Sequence, residues 1–210
     1  MERALQIRRR QMDRALRWSL LLFFGFLVVT QQVLTNGPLV SYDKEINSQP
    51  KPQFEGFAGF FLRRLDDLGL RSLTATVLLL AAAFIAYKFK TWRPLNLAMI
   101  SLLSLNLVVG TFKIFLGRTK PRDGFDLLHA GGMSYPSGHA SNAVLSWGIL
   151  AYLIYRYAKV DRYQGRLASA GVVLISLTVC VVSLIRHTHW FSDLLGGLFV
   201  GSALLVAVIA

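Results

Sequence analysis

Three short stretches of this chain carry residue types that do chemistry on an anion. The last of them is Arg186-His-Thr-His-Trp-Phe-Ser-Asp193. His189 and Asp193 stand four residues apart, so on a helix they share a face. A carboxylate bonded to one imidazole nitrogen fixes the tautomer and leaves the other nitrogen free to attack or to take a proton. His187 has no acid at the matching offset and reads as a solvated or headgroup-facing side chain. The second stretch is Tyr135-Pro-Ser-Gly-His139, ahead of an apolar run. Pro, Ser and Gly in that place are helix-start signals. A helix N-terminus offers unpaired N–H groups and a positive dipole end, which suit phosphate. There Gly138 lets an oxyanion approach the backbone, Ser137 adds a hydroxyl donor, and His139 faces the same point.

The first stretch in chain order is Lys113-Ile-Phe-Leu-Gly-Arg-Thr-Lys-Pro-Arg122. Lys113 lies near the end of an apolar run, where a lone ammonium is costly. Either it snorkels to the surface or it neutralises a buried anion. Lys120 can join it, with Arg118 or Arg122, on a turn stiffened by Pro121. A phosphate monoester carries nearly two negative charges, and its transfer is catalysed mainly by positioning and charge stabilisation. Cations and backbone amides supply both. A binuclear metal centre would need clustered carboxylates and histidines. The nearby acids, Asp123, Asp126 and Asp193, form no Asp-x-Asp or His-x-Asp pair. The expectation is a site with no metal and no other cofactor.

These stretches must be held by the apolar segments between them. The chain has 210 residues, 54% of them hydrophobic, and several runs reach the ~18–20 apolar residues that cross a bilayer. Six spans are expected, at Trp18–Leu34, Leu73–Tyr87, Leu95–Leu116, Ala140–Tyr157, Leu167–Ile185 and Trp190–Ala210. The runs are continuous rather than alternating, and backbone groups in lipid must be satisfied internally, so helices are favoured over strands. The fold class is all-α, a polytopic six-helix membrane bundle over residues 18–210, preceded by a basic tail at 1–17. The first apolar run has no small-residue cleavage pattern behind it and reads as a retained span.

The formal net charge is +12, a value that in a soluble protein would raise nucleic-acid binding. Its placement argues otherwise. Basic clusters fall in the N-terminal tail (Arg3, Arg8, Arg9, Arg10, Arg14, Arg17), around Lys88, Lys90 and Arg93, and around Arg156, Lys159, Arg162 and Arg166. With alternating spans all three face one side, the cytoplasmic one by the positive-inside rule. They set topology and attract anionic headgroups; nucleic acid is not needed to explain them. The segments 36–71, 117–138 and 186–189 then lie outside, and the three chemistry-bearing stretches converge on the extracytoplasmic face of a multi-pass cell-membrane protein. Within 36–71, Phe54–Leu65 has apolar residues at near-helical spacing followed by Arg63 and Arg64. It reads as an interfacial helix or as one packed on top of the bundle. Cys180, the only cysteine, excludes an intramolecular disulfide and reads as a small buried hydrophobe.

In this order the three stretches resemble the type-2 phosphatidic acid phosphatase superfamily, which includes glucose-6-phosphatase and the vanadium haloperoxidases. The family pattern is Lys-x6-Arg-Pro, then Pro-Ser-Gly-His, then Ser-Arg-x5-His-x3-Asp. Here stand Lys113-x6-Lys120-Pro121, an intact Pro136-Ser137-Gly138-His139, and His189-x3-Asp193. Two positions depart from it. Lys120 replaces an arginine, keeping the charge and losing the bidentate fork. Ser183 stands where the third pattern has its arginine, and Arg186 lies three residues later, about one turn on. The resemblance implies a lipid phosphatase in which His189, oriented by Asp193, forms a phosphohistidine and His139 serves the leaving oxygen and then water. Lys113, Lys120, Arg186, Ser137 and the Gly138 N–H hold the phosphoryl oxygens. The implied substrate is a polyprenyl diphosphate, phosphatidylglycerophosphate or phosphatidic acid. The alternatives on the same scaffold are a lipid phosphotransferase and a non-catalytic lipid-binding or transport protein. A haloperoxidase does not fit, because those relatives are soluble.

Overall fold

The computed structural model describes residues 2–158 and 160–210, with side chains from residue 5 onward. Lys159 and the side chain of Arg3, both counted in the basic clusters above, lie outside the described residues. Among the described residues the chain forms eight α-helices and no strand: α1 (Glu2–Leu34), α2 (Pro38–Ser48), α3 (Gly56–Asp67), α4 (Arg71–Phe89), α5 (Arg93–Leu116), α6 (Gly138–Tyr157), α7 (Arg162–Ile185) and α8 (Phe191–Ile209). Local chemistry sets several ends. Lys90 closes α4 in the left-handed region at φ 50°, and Gly117 closes α5 the same way at φ 52°. Pro94 opens the first turn of α5, where its missing N–H costs nothing. Asp161 and Gln164 cap α7 reciprocally, at 2.8 and 3.1 Å.

Five helices are long and apolar enough to cross a membrane: α1, α4, α5, α7 and α8. The sixth expected span corresponds to α6, a helix of 20 residues that is not among these five. Its N-terminal half carries His139, Ser141, Asn142, Ser146 and Trp147. Its place explains that composition. α6 packs against α4, α5, α7 and α8, so those side chains face protein rather than lipid. From Glu2 onward the basic residues continue into the first apolar run in one helix: α1 has 33 residues and is about 50 Å long at 1.5 Å per residue.

Successive long helices alternate in direction, which brings the C-terminal ends of α1, α5 and α7 beside the N-terminal ends of α4, α6 and α8. Thr30 in α1 bonds Tyr135 just ahead of α6 at 2.8 Å, and Trp147 Nε1 in α6 donates to the Leu68 carbonyl ahead of α4 at 2.8 Å. At the far end Phe89 of α4 meets Tyr157 of α6, with ring centres 5.1 Å apart. The core between these ends is apolar: Phe26, Leu78, Leu105, Leu145, Ile149 and Val200 are among its buried members. Phe26 stacks on Tyr135 and meets Phe112 edge-on at 4.7 Å.

The contact between α8 and α6 fixes how two of the chemistry-bearing segments approach. A Cβ on Gly197 would fall 2.5 Å from the Ser137 carbonyl oxygen, and one on Gly201 2.8 Å from that of Ser141. Small residues four apart let the backbones touch. Gly197→Ala is therefore expected to push the start of α6 away and to cost about 1–3 kcal/mol of stability, the usual range for overpacking. Thermal unfolding in detergent checks it; an unchanged melting temperature would show that the two helices are not locked here.

Candidate active site

The site grows from the first turn of α8. Asp193 is the third residue of that helix and wholly buried. Its Oδ2 accepts the Trp190 backbone N–H at 3.0 Å, as a first-turn acid does for its own helix start. The same oxygen lies 3.4 Å from His189 Nδ1 and accepts a hydrogen bond from the Ser134 hydroxyl. With Nδ1 turned to the carboxylate, Nε2 is the nitrogen left for chemistry. The expected i,i+4 pairing is thus present in space, although His189 sits just ahead of the helix rather than on it. His139, half-buried at the start of α6, faces His189 with ring centres 6.0 Å apart and planes inclined by 60°.

The start of α6 is built as the Pro-Ser-Gly-His string implies. Ser137 Oγ accepts the Ala140 N–H at 3.3 Å, an N-cap bond. Ser137 N–H donates to the Asp193 carbonyl at 2.9 Å, which ties this helix start to that of α8. Ser137 is fully buried, so its oxygen is committed to the cap and only its hydroxyl proton is left to give. The N–H groups of Gly138 and His139 take no protein partner among the described residues. Next to them lies Lys113: a Cβ on Gly138 would sit 3.8 Å from Lys113 Cε. The Lys113 ammonium donates to the Met133 carbonyl, so it turns inward to the site rather than out to the surface. Lys120 heads a 3₁₀ turn at Pro121–Asp123, and its ammonium makes no hydrogen bond or ion pair among the described residues.

Arg186 occupies a different setting. It ends α7 and pairs with Asp66 of α3. Ser183, one turn earlier and fully buried, donates to the other oxygen of the same carboxylate at 3.0 Å. The position where the family pattern has arginine therefore holds a small hydroxyl that helps orient Asp66, and the cation stands one turn nearer the helix end.

Several residues that shape the site carry little sign of it in the chain. Arg118 is the chief one. It is buried and meets three carboxylates: Asp126 through Nε and Nη2 at 2.7 and 2.6 Å, Asp43 at 2.7 Å, and Asp193 at 2.8 Å. It also donates to Ser192 Oγ at 2.6 Å and lies 5.4 Å from the Trp190 ring centre. Its guanidinium is therefore committed to holding Asp193, not to a phosphate, while Arg122 is exposed beside Asp123. Asp43 comes from α2, a helix within the polar segment 36–71. It accepts the Ser192 N–H at 2.8 Å at the start of α8. Pro38, at the first position of α2, is the one local signal that a helix begins there. Ser134 and Asp126 sit in the loop between α5 and α6. That loop is laced by bonds from Thr119 N–H to Leu127 O and from Ser134 N–H to Arg118 O, each 3.0 Å. Among the described residues no group of three or more His, Cys, Asp or Glu is placed to hold a metal ion; the three acids here face Arg118.

Phosphatidylglycerophosphatase B of Bacillus subtilis (strain 168) is 24% identical over 187 residues, which cover 89% of this chain and 91% of that protein. The crystal structure described as the first transmembrane PAP2 type phosphatidylglycerolphosphate phosphatase, also from Bacillus subtilis, superposes with a TM-score of 0.80. It is 22% identical and covers 91% of this chain and 94% of its own, so the fold is shared. The PAP2 superfamily pattern matches residues 91–210, which include all three chemistry-bearing stretches. With more than half its length matched, the chain belongs to the PAP2 superfamily.

Proposed function

We propose that this protein is an integral membrane lipid phosphatase that works through a phosphohistidine, without a metal, on the extracytoplasmic side. The observation that carries the reading is the buried Asp193–His189 pair opposed by His139 across 6.0 Å. His189 Nε2 attacks phosphorus in line, the bond to the lipid oxygen breaks, and protonated His139 gives its proton to that oxygen. His139, now neutral, takes a proton from water; the hydroxide attacks phosphorus, the P–N bond breaks, and inorganic phosphate leaves. Lys113, Lys120, the Gly138 N–H, the Ser137 hydroxyl and Arg186 hold the three phosphoryl oxygens. Charge stabilisation of this kind is the larger part of phosphoryl-transfer catalysis.

The topology belongs to the same proposal: six spans over residues 18–210, the basic segment 1–17 and the N-terminus in the cytoplasm, and the 36–71 segment outside with the site. Membrane lipids then surround the bundle, and the substrate is a lipid phosphate. Phosphatidylglycerophosphate gains weight from the name of the Bacillus relative, beside a polyprenyl diphosphate and phosphatidic acid. The test is phosphate release by purified protein in detergent with EDTA, across those three lipids and across pH. One neutral and one protonated histidine are required, so kcat/KM should be bell-shaped in pH. A rate that climbs steadily through the histidine range would remove His139 as the acid.

Arg186→Ala separates two roles for the displaced arginine. If Arg186 reaches the phosphoryl group while anchored on Asp66, kcat/KM falls about 10²-fold, and Ser183→Arg in that background recovers part of it by restoring the cation at the family position. An unchanged kcat/KM in Arg186→Ala would take this residue out of the site.

A further inference from the structure

Beside the candidate site lies a second opening that the mechanism above does not use. It is a cavity of about 290 Å³ between the α2–α3 linker, α3 and the turn joining α7 to α8, lined by Lys51, Arg63, Arg186 and His187 with Phe54 and Leu62 among its apolar walls. Among the described residues no Asp or Glu lines it. The carboxylate behind it is Asp66, on Arg186. Three cations against one carboxylate leave two positive charges in excess, before any contribution from His187.

The cationic side chains come from separate segments yet converge. Lys51 Nζ is 3.4 Å from His187 Nδ1, and that nitrogen also meets Asn47 Oδ1 of α2 at 2.7 Å. His187 is held in the left-handed region at φ 52°, uncommon for a non-glycine residue. The turn it makes sends His187 to this cavity and His189, two residues on, to the catalytic pair. Arg63 Nη1 would lie 3.7 Å from a Cβ on Gly59, at the cavity wall, and makes no ion pair among the described residues. Burial and the Lys51 charge pull the His187 pKa down, and burial pulls down that of Lys51. The Lys51 contribution reflects two cationic groups held close together. Clefts lined by one sign of charge concentrate the opposite ion.

We propose that this cavity is a second anion subsite, which takes a phosphate group adjacent to the one being hydrolysed. The inference rests on the reading of the chain as a lipid phosphatase. Arg186 links the two places, because it lines the cavity, pairs with Asp66 and is given by the proposed mechanism to the phosphoryl group. The subsite therefore favours lipids that carry two phosphate groups, such as phosphatidylglycerophosphate or a prenyl diphosphate, over phosphatidic acid, which carries one. Free inorganic phosphate has the same chemistry, and the test separates the two sources.

The experiment compares full-length wild type with Lys51→Ala, Arg63→Ala and the double variant, on phosphatidylglycerophosphate and on phosphatidic acid. The ratio of kcat/KM for the two-phosphate lipid to that for the one-phosphate lipid should fall about tenfold in each single variant. In parallel, inorganic phosphate is titrated by calorimetry, a readout independent of turnover. Two sites in wild type and one in the double variant are expected. A changed stoichiometry with an unchanged lipid ratio supports the subsite and assigns it to free phosphate. An unchanged ratio together with unchanged stoichiometry overturns it. Wild type that releases no phosphate from these two lipids or from a prenyl diphosphate overturns the phosphatase reading instead, and the titration still decides the subsite.

Discussion

His189→Ala should lower phosphate release by at least about 10³-fold on every lipid, because in the proposed mechanism the residue that would form the covalent intermediate has no substitute in the site. The imidazole facing it, His139, is 6.0 Å away ring to ring and is given by the same proposal to the leaving oxygen. His139→Ala should differ in kind. Loss of a general acid typically costs about 10²–10⁴-fold, and the cost scales with how poor the leaving group is. On nitrophenyl phosphate, whose leaving oxygen needs little protonation, His139→Ala should recover most of its rate while His189→Ala stays inactive. EDTA should leave wild type unchanged in both assays. If the two variants lost equal rate on both substrates, the division into nucleophile and acid would be wrong. If EDTA abolished release, a metal would hold the role assigned to the cations.

How much of this site the amino-acid sequence announces depends on the range of each interaction. The His189–Asp193 pair lies within one helical turn, and the Pro136–His139 string signals its own helix start, so spacing along the chain locates both. The apolar runs likewise announce the long helices, including α6, whose buried polar face lowers its hydropathy below that of the other five. The Arg118 centre leaves no such trace. Its partners Asp43 and Asp193 are each 75 residues away, and from the chain alone Arg118 looks like any cation near a phosphate motif. The Arg186–Asp66 pair spans 120 residues and is equally hidden; only the unexplained serine at position 183 hints that something compensates. The Phe54–Leu65 segment forms most of α3, which packs against the bundle. α3 packs on α7 through Asp66 while Phe57 and Phe61 stay exposed, and charged residues facing inward from a connecting segment are what no periodicity rule distinguishes from surface charge.

The second large effect concerns Arg118. Its guanidinium and the carboxylates of Asp43, Asp126 and Asp193 are at most 5% exposed. Removing one partner of a buried ion pair leaves an uncompensated charge and costs about 3–5 kcal/mol. Here one substitution would orphan three carboxylates and set them against one another. Arg118→Ala is therefore expected to unfold at a clearly lower temperature in detergent and to lose activity beyond what its unfolded fraction explains, since Asp193 would no longer be held against His189. Arg118→Lys keeps the charge, but a single ammonium cannot reproduce the two-pronged contact with Asp126 at 2.7 and 2.6 Å while also reaching Asp43 and Asp193. It should fall between wild type and alanine in stability. Asp126→Asn removes one negative charge from an acid-rich centre and should be milder than either. The order wild type, Asp126→Asn, Arg118→Lys, Arg118→Ala in melting temperature is the expected result. Arg118→Ala melting within about 1 °C of wild type would mean that the three acids are neutral or solvated and that the centre does not hold the site. A stable but inactive Arg118→Lys would instead isolate its effect on the His189–Asp193 pair, because the fold would be intact and only the aim of the nucleophile lost.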